Sequence, residues 1–223
     1  MSDQPVPNVA VSLITIHKVI TRGLKVSLEN ISVFSQEGFT DSSTQEGFLN
    51  YVRSLSSVIQ SHHLGEDDIA FPYFSDILPD APIDLLVSQH QGMVPLLEKI
   101  NAAIAMCEIE EGMKEGLNEL ESLLTNLNAM WQLHIAIEEE HFTIEKLGKL
   151  IPPEEHLSLI QQIAAYSQQQ SGPDYLVVPF ILYNLPPDVR GILANGMPPE
   201  VTEELVPNLW KDKWESMKPF LLD

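Results

Sequence analysis

The sequence predicts an all-α protein, a bundle of four long helices followed by a fifth helix and a Pro-rich C-terminal extension. Three observations lead there. Apolar residues recur every three or four positions over long stretches. Pro and Gly clusters interrupt those stretches. No segment alternates apolar and polar residues in the way of a half-buried strand.

The elements follow in order. Residues 1–8 carry two prolines and read as an arm. From Val9 to about Asn30, Leu13, Ile16, Ile20, Leu24 and Leu28 define a first helix. Ser35 to Ser43, with Gly38, reads as a loop. Thr44 is the expected N-cap of a second helix whose inner face is Phe48, Val52, Leu55, Ile59, His62, Glu66 and Ile69, and Pro72 should end or bend it. Asp80 is placed to cap a third helix with Pro82 in its first turn and Leu86, His90, Met93, Leu97, Ile100 and Ile104 inward; Pro95 predicts a kink. The acidic EIEEGMKEG is a connection. A fourth helix is expected from about Leu117 to Leu150, with Leu120, Leu124, Leu127, Trp131, His134 and Glu138 on one face. Pro152 and Pro153 open a fifth, shorter helix. Beyond Gly172, recurring prolines separate short apolar pieces, too broken for a second core. The expected organisation is therefore an arm (1–8), a bundle (9–150) and an extension packing on it (151–223).

Composition narrows the function. The chain has 223 residues, with 12 Lys and Arg against 32 Asp and Glu, a net charge of −20. That balance argues against binding nucleic acid, which needs clustered cations, and against adhesion to anionic lipid. The single cysteine, Cys107, excludes an intramolecular disulfide, a CxxC pair and a Cys-rich zinc site; it reads as a small core residue. No apolar run approaches the roughly 18 residues of a membrane span, and MSDQPVPNV lacks a secretory signal. A soluble, cytoplasmic protein is expected.

The chemistry lies in the histidines. His17, His62, His90 and His134 each fall on or beside the apolar stripe of a different helix. Two of them have a carboxylate four residues on, His62 with Glu66 in SHHLGE and His134 with Glu138 in LHIAIE, so each pair shares a helix face. A carboxylate facing an apolar interior costs several kcal/mol unless it is paired or binds a cation. The matching faces carry no Lys or Arg. Four imidazoles and two carboxylates suit two first-row metal ions, with glutamates bridging and positions open for water or oxygen. The remaining candidates are expected elsewhere: His63 at the surface or behind the ligands, His141 at the rim, His156 exposed, and Asp67, Asp68, Glu139 and Glu140 on a solvated face. Tyr175, Tyr183, Trp210 and Trp214 are expected to serve packing.

The motifs HHLGEDDIAFP and HIAIEEEHF, with His17 and His90 completing the set, resemble the hemerythrin-like, or HHE cation-binding, family over roughly residues 8–150. That resemblance implies an antiparallel four-helix bundle around a non-haem di-iron centre. His17 and His62 would bind one iron, His90 and His134 the other, with Glu66 and Glu138 bridging. Oxygen-carrying hemerythrin has a fifth histidine one turn from the third-helix ligand; here Leu86 and Val94 occupy the neighbouring turns. Its fourth-helix carboxylate is an aspartate at longer spacing, where this chain has Glu138. The implied function is binding or sensing of oxygen, nitric oxide or iron, with metal ions and a small diatomic ligand or peroxide as partners. The alternative is a di-iron oxidoreductase acting on peroxide or a small organic substrate. Other first-row metals fit the same donors.

Overall fold

The computed structural model describes residues 7–223. Ten α-helices account for most of them: α1 (Val9–Glu37), α2 (Ser42–Gly65), α3 (Phe71–Ile77), α4 (Ile83–Cys107), α5 (Met113–His141), α6 (Ile144–Leu150), α7 (Pro153–Gln170), α8 (Asp174–Tyr183), α9 (Pro187–Ala194) and α10 (Lys211–Trp214). Short π and 3-10 segments complete the set, and no strand occurs among the described residues. The expected arm falls mostly on residues 1–6, outside the described range.

The four long helices pack in a ring: α1 lies against α2 and α5, and α4 lies against α2 and α5. Asn8 caps α1 by accepting from the Ala10 N–H. That helix runs seven residues past the expected end and takes in the first third of the expected loop. It stops at Gly38, whose φ of 78° an L-residue rarely adopts. Asp41, not Thr44, caps α2: its Oδ1 accepts from the Thr44 N–H at 2.8 Å.

Pro72 does not end the second helical path. A π turn over Glu66–Ala70 carries the chain from α2 into α3, and Pro72 sits in the first turn of α3, where a missing N–H costs little. The expected Asp80 cap is replaced by Pro82 at the N-cap of α4, with no side-chain cap bond, and α4 continues helically past Pro95. The fourth long helix begins at Met113 and ends at His141, well short of Leu150. Phe142 turns into the core, and Thr143 caps α6 by accepting from the Lys146 N–H.

The C-terminal segments lie over α2. Phe180, Leu185, Trp214, Met217 and Phe220 are buried in the same apolar cluster as Leu24, Tyr51 and Leu124. Gly47 permits this approach, because a Cβ there would sit 1.9 Å from the Ser216 carbonyl oxygen. Arg22 Nη1 donates to the Phe220 carbonyl at 3.0 Å and to Asn184, tying the end of the chain to α1.

Two apolar clusters result. One runs from Val19 through Trp131 into the C-terminal segments; the other gathers Leu13, Phe71, Phe74, Leu86, Phe142 and Leu159. Between Leu13 and Ile20, Ile59 and Ala70, Leu86 and Met93, and Trp131 and Phe142, each helical path crosses from one cluster to the other. His17, His62, His90 and His134 fall in those four gaps, so a polar belt separates two apolar cores.

Candidate metal centre

All six expected ligands are in that belt and all are buried: His17, His62, His90 and His134 are at most 4% exposed, Glu66 0% and Glu138 1%. Glu66 faces histidines of three helices. Its Oε1 is 3.3 Å from His62 Nε2 and 4.0 Å from His17 Nε2, while its Oε2 is 3.5 Å from His90 Nε2. Glu138 Oε2 is 3.4 Å from His17 Nε2 and 3.2 Å from His134 Nε2. Each carboxylate therefore faces an imidazole from either pair.

These approaches are close without being hydrogen bonds. His17 Nε2, His62 Nε2, both Glu66 oxygens and Glu138 Oε2 are buried with no hydrogen-bond partner among the described residues. Leaving one such atom unsatisfied costs about 1–3 kcal/mol, and five of them converge here. Among the described residues, the basic groups within 4.0 Å of Glu66 and Glu138 are imidazoles, with no lysine or arginine. The donor set is one that fits metal cations: neutral nitrogen and carboxylate oxygen, aimed at shared space.

The outer ring nitrogens are held. His17 Nδ1 lies 2.9 Å from Glu139 Oε1, His90 Nδ1 lies 2.7 Å from Asp67 Oδ1, and His134 Nδ1 lies 3.1 Å from Gln89 Oε1. An acceptor at Nδ1 keeps the proton there and turns the Nε2 lone pair inward. Asp67 and Glu139, expected on a solvated face, are instead bonded to histidines of the belt. Each follows a belt glutamate by one residue, which was the available signal.

Electrostatics follow from burial. Burial pushes the Glu66 carboxyl well above the usual range, and the neighbouring Glu138 charge adds to this. Burial acts on Glu138 as well, but His17, His134 and His62 outweigh it and hold that carboxyl well below the usual range. Burial drives His62 and His63 well below the ordinary imidazole value and lowers His134. It also opposes the charge on His17, but Glu138, Glu139 and Glu66 together raise that ring well above the ordinary value.

One histidine takes the second of its two expected places and another departs from expectation. His63 is buried behind the ligands and stacks on His90 with ring centroids 3.9 Å apart. Its partner helix α4 covers the side of α2 that counting on a single inward face leaves open. His156 is buried, not exposed: its Nδ1 accepts from the Val9 N–H at 3.1 Å, one of the donors that the first turn of α1 leaves free. His141 is half-buried and its Nδ1 bonds the Ile137 carbonyl in its own helix. Cys107 is buried in the core.

Two groups of potential ligand atoms result, each within 4.8 Å of one another: His17, His62, Glu66 and Glu138, and His63, His90 and His134. Trp131 walls the belt on one side, its ring 5.5 Å from His17 and 5.8 Å from His134, with Nε1 donating to Thr21. An open groove of about 370 Å³ reaches the outer edge of His17, lined by Ile14, Lys18, Thr21, Arg22, Lys25 and Glu139.

Residues 12–143 match the Hemerythrin HHE cation binding domain, more than half of the chain and all six belt positions. The chain belongs to the hemerythrin HHE cation-binding family. A family that binds cations accounts for a buried belt of histidines and glutamates with no lysine or arginine among the described residues to neutralise it. Similarity also extends to a "Putative UDP-glucose glucosyltransferase" of Fragaria ananassa, 31% identical over 98 residues, 43% of this chain and 20% of that protein. This hemerythrin-family chain thus spans about a fifth of the length of that relative. No solved structure matches. Among the described residues, no helix is long and apolar enough to cross a membrane.

Proposed function

We propose that the protein is a non-haem di-iron binding protein whose residues 9–150 form an antiparallel four-helix bundle of the hemerythrin kind, with residues 151–223 as an extension packed on it. His17 and His62 hold one iron, His90 and His134 the other, and Glu66 and Glu138 bridge them. The observation that carries this reading is the position of the two carboxylates, each facing imidazoles of both pairs and neither neutralised by a lysine or arginine among the described residues.

Iron held there supplies redox cycling and an open coordination position for oxygen, nitric oxide or peroxide. The chain supplies the rest. Glu139, Asp67 and Gln89 fix the tautomers of His17, His90 and His134. Glu66 and Glu138 ride on the same rigid helical turns as His62 and His134, which fixes their spacing. Trp131, Phe71 and the two apolar clusters exclude bulk water. Binding or sensing of a small ligand, or of iron itself, is the function these features support.

A second reading, an oxidoreductase acting on peroxide or a small organic molecule, is favoured by the groove beside His17. It is large enough for a small substrate and carries Lys18, Arg22 and Lys25 in a chain of net charge −20.

Elemental analysis of protein purified without added metal tests the leading reading. Two irons per chain are expected, with an absorption band of oxygen-bridged iron after exposure to air. Metal-free protein that takes up no iron on reconstitution would contradict it. Turnover of peroxide by iron-loaded protein separates the second reading from the first.

A further inference from the structure

Proximity admits His63 as a third imidazole for one ion, since a ring nitrogen of His63 lies within 4.8 Å of ring nitrogens of His90 and His134. Ring geometry points elsewhere. An imidazole nitrogen offers its lone pair in the plane of its ring. The His63 and His90 rings are stacked face to face, 3.9 Å apart and within 13° of parallel. Their lone pairs therefore lie in separate planes and do not meet at one ion. Phe71 lies parallel to the same His90 ring, at 5.5 Å and 14°. His90 is thus oriented by two aromatic neighbours and by Asp67 at its Nδ1.

His63 has a second property. The residue is only 4% exposed, and its buried Nε2 has no hydrogen-bond partner among the described residues. Its ring lies 3.9 Å from the His90 ring and 5.5 Å from the His134 ring, so this buried nitrogen is a group available to a molecule bound between them.

We propose that His63 is not a metal ligand but part of a subsite for the small ligand, its ring fixing the plane of His90 and its Nε2 hydrogen-bonding a small nitrogen- or oxygen-donor molecule held at the His90–His134 position. The inference rests on the di-iron reading. The ligand class is a compact anion or diatomic such as azide, peroxide or nitric oxide.

Metal counting combined with azide titration tests it, using the iron-loaded full chain. His63→Phe keeps a flat ring for stacking and removes the nitrogen. Two irons per chain, as in the unsubstituted protein, with azide affinity lower by about tenfold, is the expected result. His63→Gln keeps a donor without the ring and is expected to bind azide more tightly than His63→Ala. Loss of one of the two irons in His63→Phe would overturn the inference by making His63 a ligand. Two irons with unchanged azide affinity in His63→Phe, or equal affinities in His63→Gln and His63→Ala, would overturn it by removing the hydrogen bond. An unsubstituted protein that binds no iron would overturn the underlying reading itself.

Discussion

The Nε2 atoms of His90 and His134 face each other across 3.1 Å. Both rings have Nδ1 turned to an acceptor oxygen, Asp67 for one and Gln89 for the other. With the protons held outside, two lone pairs meet inside. A cation between them is the simplest way to relieve that repulsion. It follows that His134→Ala, like His62→Ala and Glu138→Ala, lowers the metal content of purified protein, measured by elemental analysis, while His156→Ala leaves it unchanged.

Glu66→Gln separates a metal-binding carboxylate from a structural one. The side chain is fully buried, and neither of its oxygens has a hydrogen-bond partner among the described residues. The variant is expected to bind less metal yet to be at least as stable as the unsubstituted protein when both are metal-free, because a buried carboxyl whose ionisation burial opposes has been replaced by a neutral amide of the same shape. Chemical denaturation with and without chelator reads both effects. Lower stability of the metal-free variant would mean that Glu66 serves the fold.

Asp67→Asn and Glu139→Gln leave all six expected ligands in place but weaken the hold on His90 and His17. Loss of such an outer partner costs roughly 10–100-fold in metal affinity. Competition against a chromophoric chelator is expected to show a drop in that range for each variant, with the metal count at saturation unchanged.

His156 ties α7 to the first turn of α1 and carries a pH dependence of its own. Burial holds its imidazole below the ordinary value, so the unfolded chain takes up a proton first as the pH falls. Its contribution is present above about pH 6.5, the ordinary imidazole value, and is lost as the pH falls below it toward the folded-state value. His156→Gln, which can still accept from the Val9 N–H, is expected to lose less stability near pH 7 than His156→Leu, which forfeits about 1 kcal/mol or more. Both variants are expected to show a smaller fall in melting temperature between pH 7 and 5 than the unsubstituted protein.

Gly47→Ala tests the docking of the C-terminus on α2. Its Cβ would meet the Ser216 backbone at 1.9 Å. Overpacking of this kind costs about 1–3 kcal/mol. Faster proteolysis within residues 201–223, with metal content retained, is the expected outcome.

Much of this arrangement was legible in the sequence because helical spacing and metal chemistry impose the same period. Counting by four puts His62 with Glu66 and His134 with Glu138, and the structure brings both pairs, His17 and His90 into one belt. The errors share a cause. Sequence periodicity assumes that each helix has one buried face, yet α2 is buried nearly all round, by α1, α4, α7, α8 and the last 3-10 turn. That is why His63, which counting left at the surface or behind the ligands, takes the second place. His156 is buried for a similar reason: the free N–H groups that start α1 need an acceptor, and nothing local to His156 announces that it lies 147 residues away from its donor yet adjacent in space. Helix ends were misplaced where the decisive feature is a short side-chain bond, as at Asp41 and Thr143, or a π turn that lets the path run on through Pro72.

Anomalous diffraction at the iron absorption edge, on crystals of protein purified without added metal, probes the proposed centre most directly. Two peaks in the belt are predicted, one bonded to His17 and His62, the other to His90 and His134, with Glu66 and Glu138 touching both. No peak, or a single peak outside these six side chains, would contradict the account.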